Sequence, residues 1–502
     1  MLLKLCPDRI QFRLYTYSMA IHYRKKQNTL YRKVADDIEL MIVKGIYEEG
    51  SRIPSIRQMS DHFSVSINTI KEAYSLLETR QFIEGRPNAG FFVKNAIVRD
   101  FPTFNSEDFH EPVTRDIPEN LIYQKILREV LNPDHVPLGA AVASPSILPL
   151  QDINTLIASL TEEQKERCLT YGPIEGIKEL RSAIVRKLVD CGLTLSVDDI
   201  IITAGCVEGI FLALSVLTQP GDTIAIQSPI YFNLFPMFRN MKLKIIEIPS
   251  DPVKGISLEV LQYAIRQKNI KACIVISNYS NPNGSTIPDR DKLKLTEILK
   301  IAEIPLLEDD IYGDLNFSGQ RLKTCRTFDD SGNTLLFSSF SKTVSPGLRI
   351  GFIVPGKFKD AILQLKMGMN VSTSSITQFI LTNYLESGGF YRQLRKLCRE
   401  SGNRMALLRS HISTFFPKGT RMTDPQGGYS LWIELPGNVS GLDLFNRAIE
   451  EGISITPGEI FSQDAYFENF IRLDSGCYTE ELKPAVEMLG EMVNELLFEE
   501  KK

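Results

Sequence analysis

Apolar residues recur along the chain with two different periods, and the change of period divides it. In residues 30–45, Leu30, Val34, Ile38, Met41 and Ile42 fall on one face at helical spacing, and Gly45 is placed to end that helix. Gly50 and Pro54 punctuate the chain before a second short helix over 55–63, and a tight turn at Ser64 and Val65 leads into a third whose cap is Ser66. On the third helix Ile70, Ala73, Tyr74 and Leu77 are spaced to pack inward, so Ile67, Asn68 and Lys71 point elsewhere. Residues 82–93 (FIEGRPNAGFFV) have apolar ends around Gly85, Arg86, Pro87, Asn88 and Gly90, the pattern of a β-hairpin.

Beyond about residue 137 the pattern is different. Short, mostly β-branched runs at Ile200–Thr203, Thr223–Gln227, Ala272–Ser277, Ile304–Leu307, Leu335–Phe337 and Gly351–Val354 alternate with segments of helical spacing. Such alternation predicts a mainly parallel sheet with helices on both faces. After about residue 385 a long charged helix and mixed runs around 428–435 and 470–473 predict a smaller α+β subdomain. The stretch 97–136 holds Pro102, Pro112, Pro118 and Pro133 among many acidic residues, which suits a linker with a short helix at 121–131. The expected organisation is an N-terminal extension (1–22, with Met19 an alternative start), a helical module with a hairpin (23–96), a linker (97–136), a large α/β domain (137–385) and a C-terminal subdomain (386–502).

Composition adds exclusions. Over 502 residues, 43% hydrophobic and 24% charged are ordinary globular values, which rule out a largely disordered or fibrous chain. No apolar stretch approaches the roughly 18–20 residues that span a bilayer. Lys4, Asp8, Arg9 and Arg13 interrupt the apolar core that a secretory signal requires, so a cytoplasmic protein without membrane attachment is expected. The eight cysteines form no CxxC pair and the five histidines are dispersed, which argues against a zinc site or disulfide framework; no metal site is expected. The formal charge of −4 conceals a local excess, since residues 23–96 carry twelve Lys/Arg against nine Asp/Glu.

Two short helices joined by a tight turn are the helix-turn-helix arrangement, whose second helix enters the major groove. Period and charge alone fit a small helical interaction domain equally well. The motifs, however, closely resemble the winged helix-turn-helix of GntR-type bacterial transcription regulators. Pro54-Ser55-x-Arg57, Val65-Ser66-x-Asn68-Thr69 and Ala73-Tyr74-x-x-Leu77-Glu78 stand in register. The resemblance implies a double-stranded DNA operator, contacted by Arg57, Ser66, Asn68, Thr69 and Lys71, with Gly90 at the wing tip. Ile67 stands where that family usually has Arg, which leaves the base-reading detail open.

The richest chemistry lies in Ser338-Ser339-Phe340-Ser341-Lys342, which begins where an apolar strand ends. A lysine withdrawn from water has a lowered pKa and keeps a free amine able to form a Schiff base. Arg349 could pair with a phosphate there, although a flexible basic loop would use the same residues. Ala204-Gly205-Cys206-Val207 joins a strand to a helix N-terminus, which presents free N–H groups to an anion. Asp309 follows the Ile304–Leu307 strand, where an open α/β sheet places ligand contacts.

Together these segments resemble fold-type-I pyridoxal-phosphate enzymes of the aspartate aminotransferase class over about residues 137–495. By that likeness the cofactor is pyridoxal 5'-phosphate and Lys342 is its Schiff-base lysine. Asp309 is the carboxylate on the pyridine nitrogen, Tyr312 and Asn281 are the partners of the ring hydroxyl, and Tyr231 is the stacking aromatic. Gly205, Cys206 and Val207 with Ser339 and Arg349 form the phosphate cradle, although Cys206 and Val207 stand where Ala and Gln are frequent. Tyr171 matches a tyrosine supplied across a homodimer interface, and Arg472 matches the arginine that takes the α-carboxylate of an amino acid. A GntR-like head on an aminotransferase-like domain is the MocR-like architecture. It implies a transcription regulator that senses an amino acid or amine through Schiff-base exchange at Lys342. A catalytically active aminotransferase carrying a regulatory DNA-binding domain is the alternative, because the residues for transamination (Lys342, Asp309, Tyr312) are all present.

Overall fold

A computed structural model describes residues 30–43, 46, 47, 50–79, 82–86, 89–94, 113–117, 122–158 and 160–499. The chain forms two compact units, one built on residues 1–98 and the other on the bulk of residues 99–502. The extension 1–22, Gly45, Pro87, Asn88 and most of the expected linker's first half lie outside the described residues.

In the first unit three helices precede a hairpin: α1 (Leu30–Val43), α2 (Ile56–Phe63), α3 (Ile67–Thr79), β1 (Ile83–Arg86) and β2 (Gly90–Val93). Val34, Ile38 and Ile42 from α1, Met59 from α2, and Ile70, Ala73, Tyr74 and Leu77 from α3 make one core with Phe82, Ile83 and Val93. Leu30, expected on the buried face of α1, is exposed instead: it is the first residue of the helix, and the core begins a turn further on at Val34. Ser55 caps α2 reciprocally with Gln58, satisfying two N–H groups that the helix itself leaves open. Ser64, at φ 52°, makes the turn between α2 and α3. The hairpin pairs antiparallel from Ile83↔Val93 to Arg86↔Gly90. This is a winged helix-turn-helix.

The second unit is built on a sheet whose strands, in chain order, include β3 (Thr114–Arg115), β5 (Ile201–Thr203), β6 (Thr223–Ser228), β7 (Lys244–Asp251), β8 (Gly255–Ile256), β9 (Ile270–Ile276), β10 (Leu306–Asp309), β11 (Thr334–Ser339) and β12 (Gly351–Val354); β4 (Val136–Pro137) lies outside it. Their order is β3-β7-β6-β9-β10-β11-β12-β5, with β8 on β7. The centre, β7 through β11, is parallel, and β12 runs antiparallel to both of its neighbours. Alternate residues face opposite layers. Leu336, Phe352 and Val354 pack with Leu180, Ile184 and Phe379, whereas Phe337 and Ile353 lie so close to Gly209 that a methyl group there would touch both at 3.0 Å. Glycine at 209 thus lets the helix Cys206–Leu217 settle on the sheet. The helices Leu258–Gln267 and Asp289–Ile301 cover Ala225, Ile246, Ile248, Cys273, Val275 and Leu306.

Two features depart from the sequence expectation. The strand β7 was not foreseen, because Lys244 and Glu247 interrupt its apolar pattern; Glu247 is half-buried and accepts a hydrogen bond from Ser228. The segment expected as a linker over 97–136 is partly structural. Within it β3 pairs with β7, and the short helix expected at 121–131 is present as α4 (Ile122–Val130), which buries Tyr123, Ile126 and Val130 against the rest of the unit. A smaller antiparallel sheet near the C-terminus joins β13 (Arg421–Met422), β14 (Ser430–Glu434), β16 (Thr456–Pro457) and β17 (Phe470–Asp474), while β15 (Ile453–Ser454) pairs with β4. The protein is thus multidomain: a mainly α winged head, an α/β transferase unit and a smaller α+β subdomain.

Candidate functional sites

On the winged head, α3 turns Ile67, Asn68 and Lys71 outward, with Ile67 45% exposed. Ser66 accepts the N–H of Thr69 at 3.1 Å and its hydroxyl meets that of Thr69 at 2.8 Å. Ser66 therefore caps the recognition helix, and the Thr69 hydroxyl steadies that cap. Arg57 stands exposed on the first turn of α2. Gly90 begins the second wing strand at φ 97°, and a methyl group there would approach the Arg52 guanidinium at 3.0 Å. A shallow concavity between wing and helix is lined by Arg52, Ser55, Arg57, Gly90 and Phe91. Arg52 was missed from sequence because it lies in an irregular stretch with no period to orient it; only its bridge to Phe92 brings it to the wing.

In the second unit β5, β6, β9, β10 and β11 share a direction, so the segments following them open at one edge of the sheet. That edge is where an open α/β sheet holds its ligands. Lys342 follows β11 and donates from Nζ to the Ala141 carbonyl at 2.7 Å, with Nζ 5.7 Å from the centre of the Tyr312 ring. Burial pushes its ammonium down to about 8, with Asp474 and Asp309 opposing the fall. Asp309 ends β10 and accepts the Ile311 N–H at 3.0 Å. Burial raises its carboxyl to about 6, although the Ile311 N–H, the Cys206 thiol and the Lys342 charge all hold it lower than burial alone would. Tyr312 is buried beside Asn281, whose amide donates to its hydroxyl at 3.5 Å, and burial pushes that phenol well up. Tyr231 is partly exposed and accepts from Asn233 at 2.7 Å.

The anion-binding corner is more tightly specified. Gly205 takes φ 100° and ψ 170°, a region essentially confined to glycine, and ends against the N-terminus of the helix Cys206–Leu217. A methyl group on Gly205 would sit 2.5 Å from Nη2 of Arg349. Arg349 itself bonds to the Ala204 carbonyl at 3.0 Å and to the Ser341 hydroxyl at 3.3 Å. Cys206 and Val207 open that helix, so their backbone N–H groups have no partner within it and face the turn. Ser339 is buried and donates to the Ile350 carbonyl at 2.9 Å, which leaves Ser341 as the hydroxyl meeting the guanidinium. A cradle of helix N–H groups, hydroxyls and an arginine, with no room for a side chain, fits a phosphate; a low-pKa lysine and a buried carboxyl beside it fit pyridoxal phosphate.

Arg472, from β17, reaches Asn281 Oδ1 at 2.9 Å, the Gly139 carbonyl at 2.5 Å and Thr456 Oγ1 at 3.2 Å. It therefore joins the smaller subdomain to the strand-end residues. Tyr171 is not brought to this site: it stands 87% exposed. Two contributors escaped the sequence reading. The stretch 139–143 supplies the carbonyls of Gly139 and Ala141 through its backbone, which leaves no side-chain signal. Asp474, wholly buried beside Arg472, could have been suspected from its place two residues along the same strand.

Fold and sites define a DNA-binding regulator head fused to a fold-type-I transferase domain. The chain matches the gntR family of bacterial regulatory proteins over residues 30–93 and aminotransferase class I and II over residues 147–489. It belongs to both families and has the MocR-like architecture of GntR-type regulators. It is 32% identical over 475 residues to the uncharacterized HTH-type transcriptional regulator YjiR of Escherichia coli (strain K12), covering 93% of this chain and 99% of that one. It is 26% identical over 382 residues to aromatic-amino-acid aminotransferase 1 of Thermococcus litoralis, covering 74% of this chain and 91% of that one. The multiple substrate aminotransferase of Thermococcus profundus superposes with a TM-score of 0.71 at 25% identity, covering 76% of this chain and 97% of that one. The aminotransferase class is pyridoxal-phosphate-dependent. Among the described residues no helix is long and apolar enough to cross a membrane.

Proposed function

We propose that this protein is a pyridoxal-phosphate-dependent, DNA-binding transcription regulator that senses an amino acid or amine by Schiff-base exchange at Lys342. The observation that carries the reading is the single chain itself, in which a withdrawn lysine amine facing a buried carboxyl follows a GntR-type head. When bound, the cofactor supplies an aldehyde for the ligand amine and a ring able to draw electrons from it. Asp309 would hold the pyridine nitrogen, Tyr312 and Asn281 the ring hydroxyl, Tyr231 the ring face, and the 205–207 turn with Ser339 and Arg349 the phosphate. Arg472 would grip the ligand's carboxylate.

Arg57, Ser66, Asn68, Thr69 and Lys71 are the proposed contacts to a double-stranded DNA operator, with Gly90 at the wing. A cytoplasmic homodimer is part of the same proposal, supported by the outward Tyr171, which would complete a partner's site.

A regulator must carry ligand state toward its head, and a hydrogen-bonded path supports this. Arg115 of β3 donates to the Gln463 carbonyl at 3.0 Å and pairs with Asp464 at 2.9 Å. Gln463 donates to the Tyr123 hydroxyl of α4 at 2.7 Å and, through its N–H, to Glu247 at 3.1 Å. Ser228, three residues before Tyr231, donates to the same Glu247 at 2.9 Å. A shift of the 458–464 segment would thereby act both on the 228–231 turn and on β3 and α4. The ligand switches the protein only by binding its two states with different affinity.

The second reading, a working aminotransferase, is favoured by one feature: once released, Lys342 has an amine poised to move the α-proton near neutral pH. Titration with a panel of amino acids and amines, following the cofactor absorbance and assaying keto acid, separates the two. A lasting spectral change without product supports the sensor. Turnover on addition of a keto acid makes the enzyme reading primary. Lys342→Ala should lose the cofactor's lysine-linked absorbance and remain folded; an unchanged spectrum would refute both readings.

A further inference from the structure

The carboxylate of Asp474 helps hold the Lys342 ammonium charged, and it also lies beside Arg472, the residue assigned to the ligand. Arg472 and Asp474 are two apart on β17, so both project from one face of the strand while Ile471 and Leu473 project from the other. Arg472 Nε stands 2.9 Å from Asp474 Oδ2, with both side chains essentially inaccessible to water. Ser430 donates to Asp474 Oδ1 at 2.8 Å, and Oδ2 accepts no hydrogen bond among the described residues. The other neighbours of the guanidinium are Asn281, Gly139, Thr456 and the Phe461 ring, none of them cationic.

The charges can be added up. The guanidinium carries +1 and Asp474 cancels it, while Asp309 is reserved for the pyridine nitrogen and Lys342, whose charge also feels Asp474, for the cofactor's aldehyde. A ligand carboxylate arriving at Arg472 thus meets a neutral pair rather than a free cation, with a like charge at the Nε corner. One carboxylate can still be bound through the Nη groups, which face neutral acceptors. A second finds no countercharge among the described residues in contact with Arg472 and adds to the repulsion from Asp474, in an interior where like charges in close contact are costly.

We propose that Asp474 is a specificity residue that confines the ligand to amino compounds with at most one carboxylate and excludes dicarboxylic amino acids. This rests on the ligand-sensing reading above, and the experiment separates the two. In the cofactor-loaded protein, maleate, a dicarboxylate with no amine, is titrated against the cofactor absorbance or by calorimetry. Wild type should bind it weakly and Asp474→Asn at least about tenfold more tightly. In wild type, L-alanine and L-lysine should change the spectrum at concentrations at least about tenfold lower than L-glutamate or L-aspartate. Asp474→Ser repeats the maleate comparison should the amide variant fail to fold. Wild type responding to L-glutamate as readily as to L-alanine overturns the proposal, and so does maleate affinity within twofold in the variants. If no amino compound changes the spectrum, ligand sensing fails, and the maleate comparison still decides what Asp474 does.

Discussion

Gly205→Ala offers a perturbation whose two costs can be told apart. The first is backbone strain. Alanine at φ 100°, ψ 170° is held in a region that costs on the order of 1–3 kcal/mol. That cost is present with or without cofactor, so it should appear as a fall in thermal stability of a few degrees at this size. The second is steric. The added methyl would sit 2.5 Å from Arg349 Nη2, the free end of a flexible side chain that can swing away cheaply. Swinging away moves the arginine out of the phosphate cradle, which forfeits a charged hydrogen bond of about 1.5–3 kcal/mol. Cofactor affinity should therefore fall by about 10- to 150-fold. Reconstitution of cofactor-free protein with pyridoxal phosphate, followed by absorbance, measures this, and a melting curve measures the strain. Arg349→Ala provides the control, since it should lose affinity without strain. In that background Gly205→Ala should lower the melting temperature again but leave affinity where it was. An affinity loss that persists in full there, or a loss under threefold in the single variant, would refute the assignment of Arg349 to the phosphate.

Other expectations follow from the same geometry. Because burial brings the Lys342 amine to about 8, about one-tenth of it is neutral at pH 7; the rate of cofactor loading should climb about tenfold per pH unit below 8 and level off above it, and a flat stopped-flow profile from pH 6.5 to 8.5 would contradict this. Asp309, raised to about 6, must be ionised to pair with a protonated pyridine, so cofactor affinity should decline as the pH falls through 6. Arg57→Ala should weaken DNA binding by several-fold and lessen its salt dependence by about one counterion, with the cofactor spectrum untouched. Gln463→Ala, paired with Arg115→Ala, should leave the spectral titration with amines unchanged while DNA affinity stops responding to them; a normal DNA response would show that coupling runs elsewhere.

What could be read from sequence was whatever repeats or stands alone on a strand end. The period of Ile70, Ala73, Tyr74 and Leu77 located the recognition helix because a packed helix leaves few alternatives for its inward face. Lys342, Asp309 and Arg349 stood out only as charged residues following apolar runs, which a basic loop or a solvated strand end would also supply; the resemblance to a known enzyme class is what singled them out. What stayed hidden depended on the chain meeting itself. The charge on Glu247 concealed β7, since only the fold brings Ser228 and the Gln463 N–H to that half-buried carboxylate. The proline-rich stretch before residue 137 read as linker although two of its pieces are held by partners more than a hundred residues away. Asp474 is the sharpest case. From sequence it is one more acid in a strand, whereas in the fold it shares a dry pocket with Arg472 at 2.9 Å. Removing water is what makes that pair consequential, since an exposed pair of the same geometry would be worth little. The residues of the proposed cofactor cradle carry the family likeness in the sequence itself, while those proposed to select the ligand and pass on its presence are placed by tertiary contact, where a single sequence carries little trace of them.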